Sequence, residues 1–168
     1  MEYQFADGFW WGSATSAPQS EGAAARDGKS RNIFDYWFEI APERFHDRVG
    51  PAEASTFYDH FRADIGLLKT LGHNTFRTSI SWSRLIPDGD GEVNPQAVAF
   101  YNAMIDELLA QGITPFINLY HFDMPLCMQQ RGGWESRAVV EAYARYADIC
   151  FGLFGDRVTH WFTFNEPI

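Results

Sequence analysis

Trp161-Phe-Thr-Phe-Asn-Glu-Pro167 is the stretch of sequence that decides the fold. Its first four residues are aromatic or β-branched and carry no charge, which predicts a short buried strand. Pro167 ends this strand, because proline has no N–H to donate to a sheet. Glu166 is costly to bury in its ionised form, and this suits a group that donates a proton. The alternative is a glutamate that is merely the first solvated residue after a core strand.

The same pattern of an apolar strand with a polar end recurs three times earlier in the chain, and a helix precedes each later strand. The predicted strands are 9–17, 75–82, 113–120 and 158–164. The predicted helices, with apolar residues at helical spacing, are 53–71, 95–112 and 136–155, capped by Asn94 and Ser136 and closed by Gly72, Gly112 and Gly155. In the first strand, Gly12 allows a neighbouring backbone to approach closely. Residues 23–52 show no clean period, although the patch 33–38 predicts one or two helical turns.

Repeated strand–helix–strand units predict an α/β fold with a parallel sheet. A doubly wound nucleotide-binding sheet would need a glycine-rich turn, and the sequence contains neither GxGxxG nor GxxxxGK[ST]. A (β/α)₈ TIM barrel carries its functional side chains at the C-terminal ends of the strands. The polar residues at those ends are Gln19, Glu21, Arg84, His121, Asp123, Asn165 and Glu166. We therefore predict a barrel. Since such barrels need ~250 residues, we expect residues 1–168 to be one unit, the N-terminal half of a barrel with its first four strands.

Composition narrows the classes of partner. The chain has 168 residues, 46% of them hydrophobic, and a formal net charge of −9 without a long basic cluster, which argues against nucleic acid and anionic membranes as partners. The N-terminal residues lack the basic and apolar regions of a signal peptide, so we expect a cytoplasmic protein. Cys127 and Cys150 lie in no ligand spacing, which predicts free thiols.

Taken together, five motifs resemble glycoside hydrolase family 1, the β-glucosidase and 6-phospho-β-glucosidase family. They occur in the family's order over the whole chain. The motifs are Phe9-Trp-Trp-Gly-Ser-Ala-Thr15 with Gln19-Ser-Glu-Gly22, Phe76-Arg-Thr-Ser-Ile-Ser-Trp-Ser-Arg84, Leu119-Tyr-His-Phe-Asp-Met-Pro125, Gly132-Gly-Trp134 and Thr163-Phe-Asn-Glu-Pro167. The resemblance implies a hydrolase that acts on β-glucosides or 6-phospho-β-glucosides without a cofactor or a metal. The contexts of Gln19 and Arg131 resemble the 6-phospho branch most.

The resemblance also implies a role for each site residue. Glu166 is the expected general acid/base, which protonates the departing glycosidic oxygen and later activates water. Asn165 is expected to donate to the sugar 2-hydroxyl, and Gln19 and His121 to bind other sugar hydroxyls. Arg77 is expected to hold the nucleophilic carboxylate ionised; its alternative role is a buried ion pair with Glu166 or Asp123.

Two departures from the family pattern bear on the sugar pocket. Phe122 stands where the family usually has tryptophan, and Pro18 where it usually has an aromatic residue or asparagine. The nucleophile of the family lies in a Glu-Asn-Gly motif, which this sequence does not contain. We therefore expect the chain to be inactive alone.

Two other classes of function compete with a glycosidase. A non-catalytic sugar-binding module or a self-assembling half barrel would associate through its exposed outer strands. A metal-dependent hydrolase that uses His121 and Asp123 would lack a second histidine at ligand spacing, which makes it a weak alternative.

Overall fold

The computed structural model describes residues 3–167, which fold into four strands and seven helices with short 3₁₀ turns between them. The strands are β1 (Gly12–Ala14), β2 (Thr75–Ser79), β3 (Thr114–Asn118) and β4 (His160–Phe162). The helices are α1 (Ala17–Ser20), α2 (Ile33–Ile40), α3 (Phe57–Thr70), α4 (Trp82–Leu85), α5 (Pro95–Ala110), α6 (Leu126–Gln130) and α7 (Arg137–Phe154). Each of β2, β3 and β4 is preceded by one long helix, as the sequence predicts.

All strand pairs are parallel, and the strands lie in the order β1-β2-β3-β4. A doubly wound sheet instead changes direction, with later strands added on the other side of the first. Strands that follow each other in a single direction are the arrangement of a barrel wall. The order of the strands therefore favours the predicted barrel over the doubly wound alternative.

The two faces of the sheet have different surroundings. Phe76 and Ile117 face the helices, where they join an extensive apolar core with residues of α3, α5 and α7. On the other face, which would be the interior of a barrel, the rings of Phe116 and His160 stack with centroids 4.4 Å apart and Trp10 packs against both. Trp10 remains 47% exposed. The inner face is thus apolar and partly open.

Local signals place the ends of the helices. Asn94 caps α5 by accepting a hydrogen bond from the Gln96 N–H, and Pro95 occupies the first position. Gly72 follows α3 with a φ of 81°, as expected for the left-handed residue after a helix. Ser136 lies at the start of α7 as predicted, although its side chain makes no capping hydrogen bond. The patch 33–38 forms most of α2. Asn32 and Asp35 cap the N-terminus of this helix with a reciprocal capping box.

The predicted strands are wrong at their ends, because all four are too long. Trp82 belongs to α4 instead of β2, and its indole N–H donates to the carbonyl of Gly89. Trp10 and Trp11 precede β1 and lie at the surface. Aromatic and β-branched residues beside a strand carry the same sequence signal as the strand, so composition extends its predicted length.

Two further observations concern the cysteines and the helices. Both cysteines are free thiols, as predicted. Among residues 3–167, no helix combines the length and the apolar character needed to cross a membrane.

Candidate active site

Three of the predicted site residues meet at the C-terminal end of the sheet. Arg77 lies in β2, His121 follows β3 and Asn165 follows β4. The Arg77 guanidinium donates from Nη2 to Asn165 Oδ1 at 2.8 Å, and its Nη1 lies 3.4 Å from His121 Nδ1. Because a guanidinium can only donate, the Asn165 amide turns its oxygen to Arg77 and leaves its NH₂ group for a ligand.

The loops that follow β3 and β4 are held together by the backbone. The N–H of Leu119 donates to the carbonyl of Phe162, and the N–H of Asn165 donates to the carbonyl of Tyr120, each at 2.9 Å. These bonds extend the pairing of the two strands beyond β4. They fix the side chain of Asn165 beside that of His121.

His121 is buried, and its environment keeps it neutral. Burial, and next the positive charge of Arg77, lower the pKa of His121 to about 4. The imidazole is therefore uncharged at neutral pH and binds through hydrogen bonds alone. Phe122, the next residue, has a φ of 60°, a left-handed conformation that turns the chain sharply at this point.

Glu166 lines a pocket of about 430 Å³. The pocket is lined by Tyr120, Phe122, Trp134, Phe164, Asn165, Glu166 and Pro167. Glu166 itself is exposed, as is Pro167 beside it, so the expectation of a buried carboxylate is wrong for this chain. The Glu166 charge opposes the lowering of the Arg77 pKa that burial causes, which places the two side chains within electrostatic range.

The proposed ion pairs of Arg77 do not form. In the part of the chain that the structure describes, no carboxylate lies within ion-pair distance of Arg77, and its nearest partner is the amide of Asn165. The alternative of a structural ion pair with Glu166 or Asp123 is therefore wrong. The guanidinium is half-buried at the inner face of the sheet, over the ring of Phe162.

Asp123 is fully buried beneath the site. Its Oδ1 accepts a hydrogen bond from the backbone N–H of His121 at 3.2 Å, and its Oδ2 has no hydrogen-bond partner in the described residues. Burial raises the pKa of Asp123 to about 7. Asp123 thus supports the loop that carries His121 and does not face the pocket.

Gln19 is placed at the same end of the sheet but apart from the cluster. It belongs to α1, which the backbone N–H of Ala17 ties to the hydroxyl of Ser79 at the end of β2. Its Oε1 accepts a hydrogen bond from the Ser16 hydroxyl at 2.7 Å. Within residues 3–167, no hydrogen bond joins Gln19 to Arg77, His121 or Asn165, so its role in binding sugar stays a prediction.

The polar residues Glu21 and Arg84 have a structural role instead of a functional one. The Arg84 Nε donates to Glu21 Oε2 at 2.9 Å, and the Tyr101 hydroxyl donates to Glu21 Oε1 at 2.8 Å. Arg84 is completely buried. This ion pair joins the segment after α1 to α4 and α5, and it therefore fixes the loops after β1 and β2 behind the site.

Sequence reasoning missed Asn118, the last residue of β3. Its side chain is buried, donates to the carbonyl of Tyr120 at 2.9 Å, and lies 3.3 Å from His121 Nδ1. The sequence signal for Asn118 was an amide side chain near the end of the predicted strand 113–120. Asn118 comes two residues after Phe116, so both side chains lie on the same face of the strand.

In the described residues, no group of three or more histidine, cysteine, aspartate and glutamate side chains is arranged to hold a metal ion. The groups that the site does offer are one carboxylate, one guanidinium, one neutral imidazole and one amide beside an aromatic pocket. Such a set can hydrogen-bond hydroxyl groups and transfer a proton.

Comparison with known proteins connects this arrangement to a family. The family model described as Glycosyl hydrolase family 1 matches residues 1–168. The 6-phospho-beta-glucosidase GmuD of Bacillus subtilis (strain 168) is 62% identical over 167 residues, which cover 99% of this chain and 36% of that protein. Beta-glucosidase 4 of Oryza sativa subsp. japonica is 48% identical over 166 residues, which cover 98% of this chain and 34% of that protein.

Solved structures agree with the sequence comparison. Aphid myrosinase superposes with a TM-score of 0.95 at 37% identity, over 99% of this chain and 36% of its own. The beta-glucosidase from Thermotoga maritima in complex with castanospermine superposes with a TM-score of 0.93 at 40% identity, over 97% of this chain and 37% of its own. The chain spans about a third of the length of these relatives, whose TIM barrels confirm the predicted fold class. The chain belongs to glycosyl hydrolase family 1, and its four-stranded sheet is part of a (β/α)₈ barrel.

Proposed function

We propose that this chain supplies the acid/base half of the active site of a retaining β-glycosidase. Glu166 acts as the general acid and then the general base, and Asn165 and His121 bind sugar hydroxyls. Gln19 is included among the sugar-binding residues on the family motif alone. Arg77 orients a nucleophilic carboxylate that residues outside this chain provide. The observation that carries the proposal is that Glu166 lines the aromatic pocket directly after Asn165, the residue that binds Arg77 in the Arg77–Asn165–His121 cluster.

The chemistry of the arrangement supports each role. A retaining glycosidase needs two carboxyl groups about 5–5.5 Å apart on opposite sides of the sugar. Glu166 is one such group, and Arg77 has no ion-pair partner among the described residues. Proton transfer by a well-placed acid contributes about 10²–10⁴-fold to the rate. Since no Glu-Asn-Gly occurs in the sequence, the chain by itself should not turn over a glycoside.

The test places this chain in a complete barrel. In the Bacillus subtilis relative, the segment that matches this chain, 36% of the length of that protein, is replaced by residues 1–168 of this chain. We expect this chimera to hydrolyse a nitrophenyl β-glucoside or its 6-phosphate, and Glu166→Gln to lower kcat/KM by about 10²–10⁴-fold. Glu43→Gln, at an exposed carboxylate away from the site, is the matched control and should have no effect.

Azide separates loss of the acid/base from loss of the fold. In Glu166→Ala, with a substrate whose leaving group needs no protonation, azide can attack the glycosyl-enzyme without a general base. We expect azide to restore turnover in this variant and not to accelerate the parent chimera. Full activity of Glu166→Gln would contradict the assignment, and turnover by the 168-residue chain alone that Glu166→Gln abolishes would contradict its inactivity.

The preferred substrate is the 6-phospho-β-glucoside, a choice supported by the 62% identity to a protein named 6-phospho-beta-glucosidase. A second chimera on the rice β-glucosidase relative tests whether this chain carries the preference. If the ratio of kcat/KM for the phosphorylated and plain glucosides is the same in both chimeras, the preference belongs to residues 1–168. A cytoplasmic location fits a phosphorylated substrate and remains a prediction.

A second function is favoured by one observation, the partly open apolar face inside the sheet. Trp10 and Phe162 are 47% and 43% exposed there. A chain with such a face is suited to pair with a second half barrel, which makes a self-assembling, non-catalytic module the competing proposal.

A further inference from the structure

The guanidinium group of Arg77 lies beside the ring of His121. We propose that Arg77 is a positioning residue that fixes the neutral His121 in its Nε2–H tautomer, so that His121 presents an N–H donor to the ligand. This inference rests on the proposed function only in naming a sugar hydroxyl as the ligand. The tautomer itself follows from the contacts of His121.

Two nitrogen atoms of neighbouring side chains lie close to Nδ1 of His121. Arg77 Nη1 lies 3.4 Å from this atom, and Asn118 Nδ2 lies 3.3 Å from it. A guanidinium nitrogen has no acceptor capacity at any accessible pH. A proton on Nδ1 would therefore point at donors only, whereas a lone pair on Nδ1 receives both. Nδ1 is the acceptor, and the single proton of the neutral ring is on Nε2.

A hydrogen bond also fixes the orientation of the Asn118 amide. Amide nitrogen and oxygen are assigned from the hydrogen bonds that they make. Asn118 Nδ2 lies 2.9 Å from the carbonyl oxygen of Tyr120, which can only accept. A flipped amide would set two oxygen atoms against each other at this distance. The group that faces both Tyr120 and His121 is thus the NH₂ group.

A hydrogen bond to Asn165 holds the guanidinium group of Arg77 in position. Its Nη2 donates to Asn165 Oδ1 at 2.8 Å, while Nη1 points to His121. The guanidinium is planar and rigid, so the strong bond on one nitrogen sets the position of the other. Asn165 therefore anchors the group that polarises His121.

The charges around His121 are consistent with a neutral ring. Arg77 from β2 is positive, Asp123 accepts a hydrogen bond from the His121 backbone, and Glu166 lies beyond Arg77 after β4. Asp123 contacts the backbone N–H and not the ring, and no carboxylate forms an ion pair with the imidazole in the described residues. A second proton on the ring would place a positive charge beside Arg77, so the charges keep the ring neutral. The geometry then keeps its one proton off Nδ1.

A consequence for recognition follows. A donor at Nε2 selects an oxygen that accepts, so a sugar hydroxyl bound there must give its own proton to another group. The site would bind a hydroxyl or an ether oxygen at this position and disfavour an ammonium or amide N–H group. The tautomer thereby contributes to the choice of substrate class.

The test is ¹⁵N NMR of the 168-residue chain labelled at its histidines, which number five. The His121 signals are assigned by their loss in His121→Gln. At pH 7 we expect Nδ1 to resonate as an unprotonated nitrogen and Nε2 as a protonated one. A protonated Nδ1, or a charged ring at this pH, would overturn the inference directly in the unmodified chain.

Variants distinguish the effect of Arg77 on the His121 tautomer from the effect of burial. In Arg77→Met, where Asn118 is the donor left at Nδ1, we expect the Nδ1 and Nε2 signals to move towards each other and the His121 pKa to rise. Arg62→Met, at an exposed arginine of α3, should leave both unchanged. In Asn118→Asp a carboxylate faces Nδ1, and we expect the proton to move to Nδ1. Should Arg77→Met not fold, Arg77→Gln gives the same readout: Nδ1 and Nε2 signals and a His121 pKa equal to those of the parent would overturn the proposal. Loss of glycosidase activity enters none of these readouts, so failure of the proposed function is distinguishable.

Discussion

At the scale of single residues, burial shifts the pKa values of two neighbouring groups, His121 and Asp123, in opposite directions. Burial disfavours the charged form of each, so it lowers the pKa of His121 and raises that of Asp123. At pH 7 His121 is therefore neutral, and Asp123 is about half protonated. The charged side chains of the site are Arg77 in β2 and Glu166 after β4.

Asp123 provides a prediction about stability and pH. Its pKa is raised from 3.8 to about 7 in the folded chain. Between these values the folded state binds more protons than the unfolded state, so this group lowers stability as the pH rises from about 4 to 7. We expect Asp123→Asn to remove this loss. The stability of the variant relative to the parent should grow by up to about 1.4 kcal/mol per pH unit in this range.

Urea unfolding at pH 4, 5, 6 and 7 measures the difference for each chain. In Asp123→Asn the amide oxygen of the new side chain would still accept the hydrogen bond from the His121 N–H. Asp7→Asn, at an exposed carboxylate, removes the same formal charge at the surface and is the matched control. Equal pH profiles for Asp123→Asn and its parent would show that the carboxyl titrates as an exposed group.

The residues of the site could be predicted where the surrounding sequence sets each of them apart. His121 and Asn165 follow strands, Arg77 is an odd charge within one, and Glu166 precedes a proline. Their partners were not predictable, because a contact between Arg77 and Asn165 depends on the register of three strands. The same holds for Asn118, whose function appears only when the His121 ring is placed beside it.

At the scale of elements, the pairing of β1 with β2 depends on a glycine. Gly12 lies opposite Thr75, and a Cβ at this position would overlap the Thr75 carbonyl oxygen far inside van der Waals contact. We expect Gly12→Ala to lower the free energy of unfolding by about 1–3 kcal/mol, the usual cost of overpacking. Close approach was the role predicted for Gly12 from the sequence.

Gly66 offers a matched control for this substitution. It lies within α3, and no atom approaches a Cβ placed there within 4 Å. Gly66→Ala should stabilise the chain by about 0.5–1 kcal/mol, because alanine loses less conformational freedom in a helix. Denaturant unfolding of both variants measures the contrast. A Gly12→Ala variant as stable as its parent would mean that β1 can move away from β2 without cost.

The long helices α3, α5 and α7 were predicted better than the strands for a physical reason. The start of α5 is specified locally, since Asn94 and Pro95 act on the backbone within two residues. The ends of β2 and β4 are specified by distant partners. Ser81 after β2 donates its N–H to the Tyr101 hydroxyl on α5, and Asn165 after β4 donates to Tyr120. Composition alone cannot show where such bonds replace those of the sheet.

At the scale of the whole molecule, the described chain forms one wall of a barrel. The relatives contain about three times its length, and in a closed barrel every strand has two neighbours. In residues 3–167, β1 and β4 each pair with one strand only. Their free edges and the apolar inner face are the features that a closed barrel hides.

We therefore expect the isolated chain to self-associate. The inner face carries Trp10, Phe116, His160 and Phe162, and unpaired strand edges add to its tendency to pair. Light scattering over a concentration series should give an average mass above that of the monomer, rising with concentration. The double variant Trp10→Gln, Phe162→Gln should shift this rise to higher concentration, whereas Leu67→Gln, at an exposed site on α3, should not. A stable monomer throughout the series would count against association, and an equal effect of Leu67→Gln would show that the contact is not at the inner face.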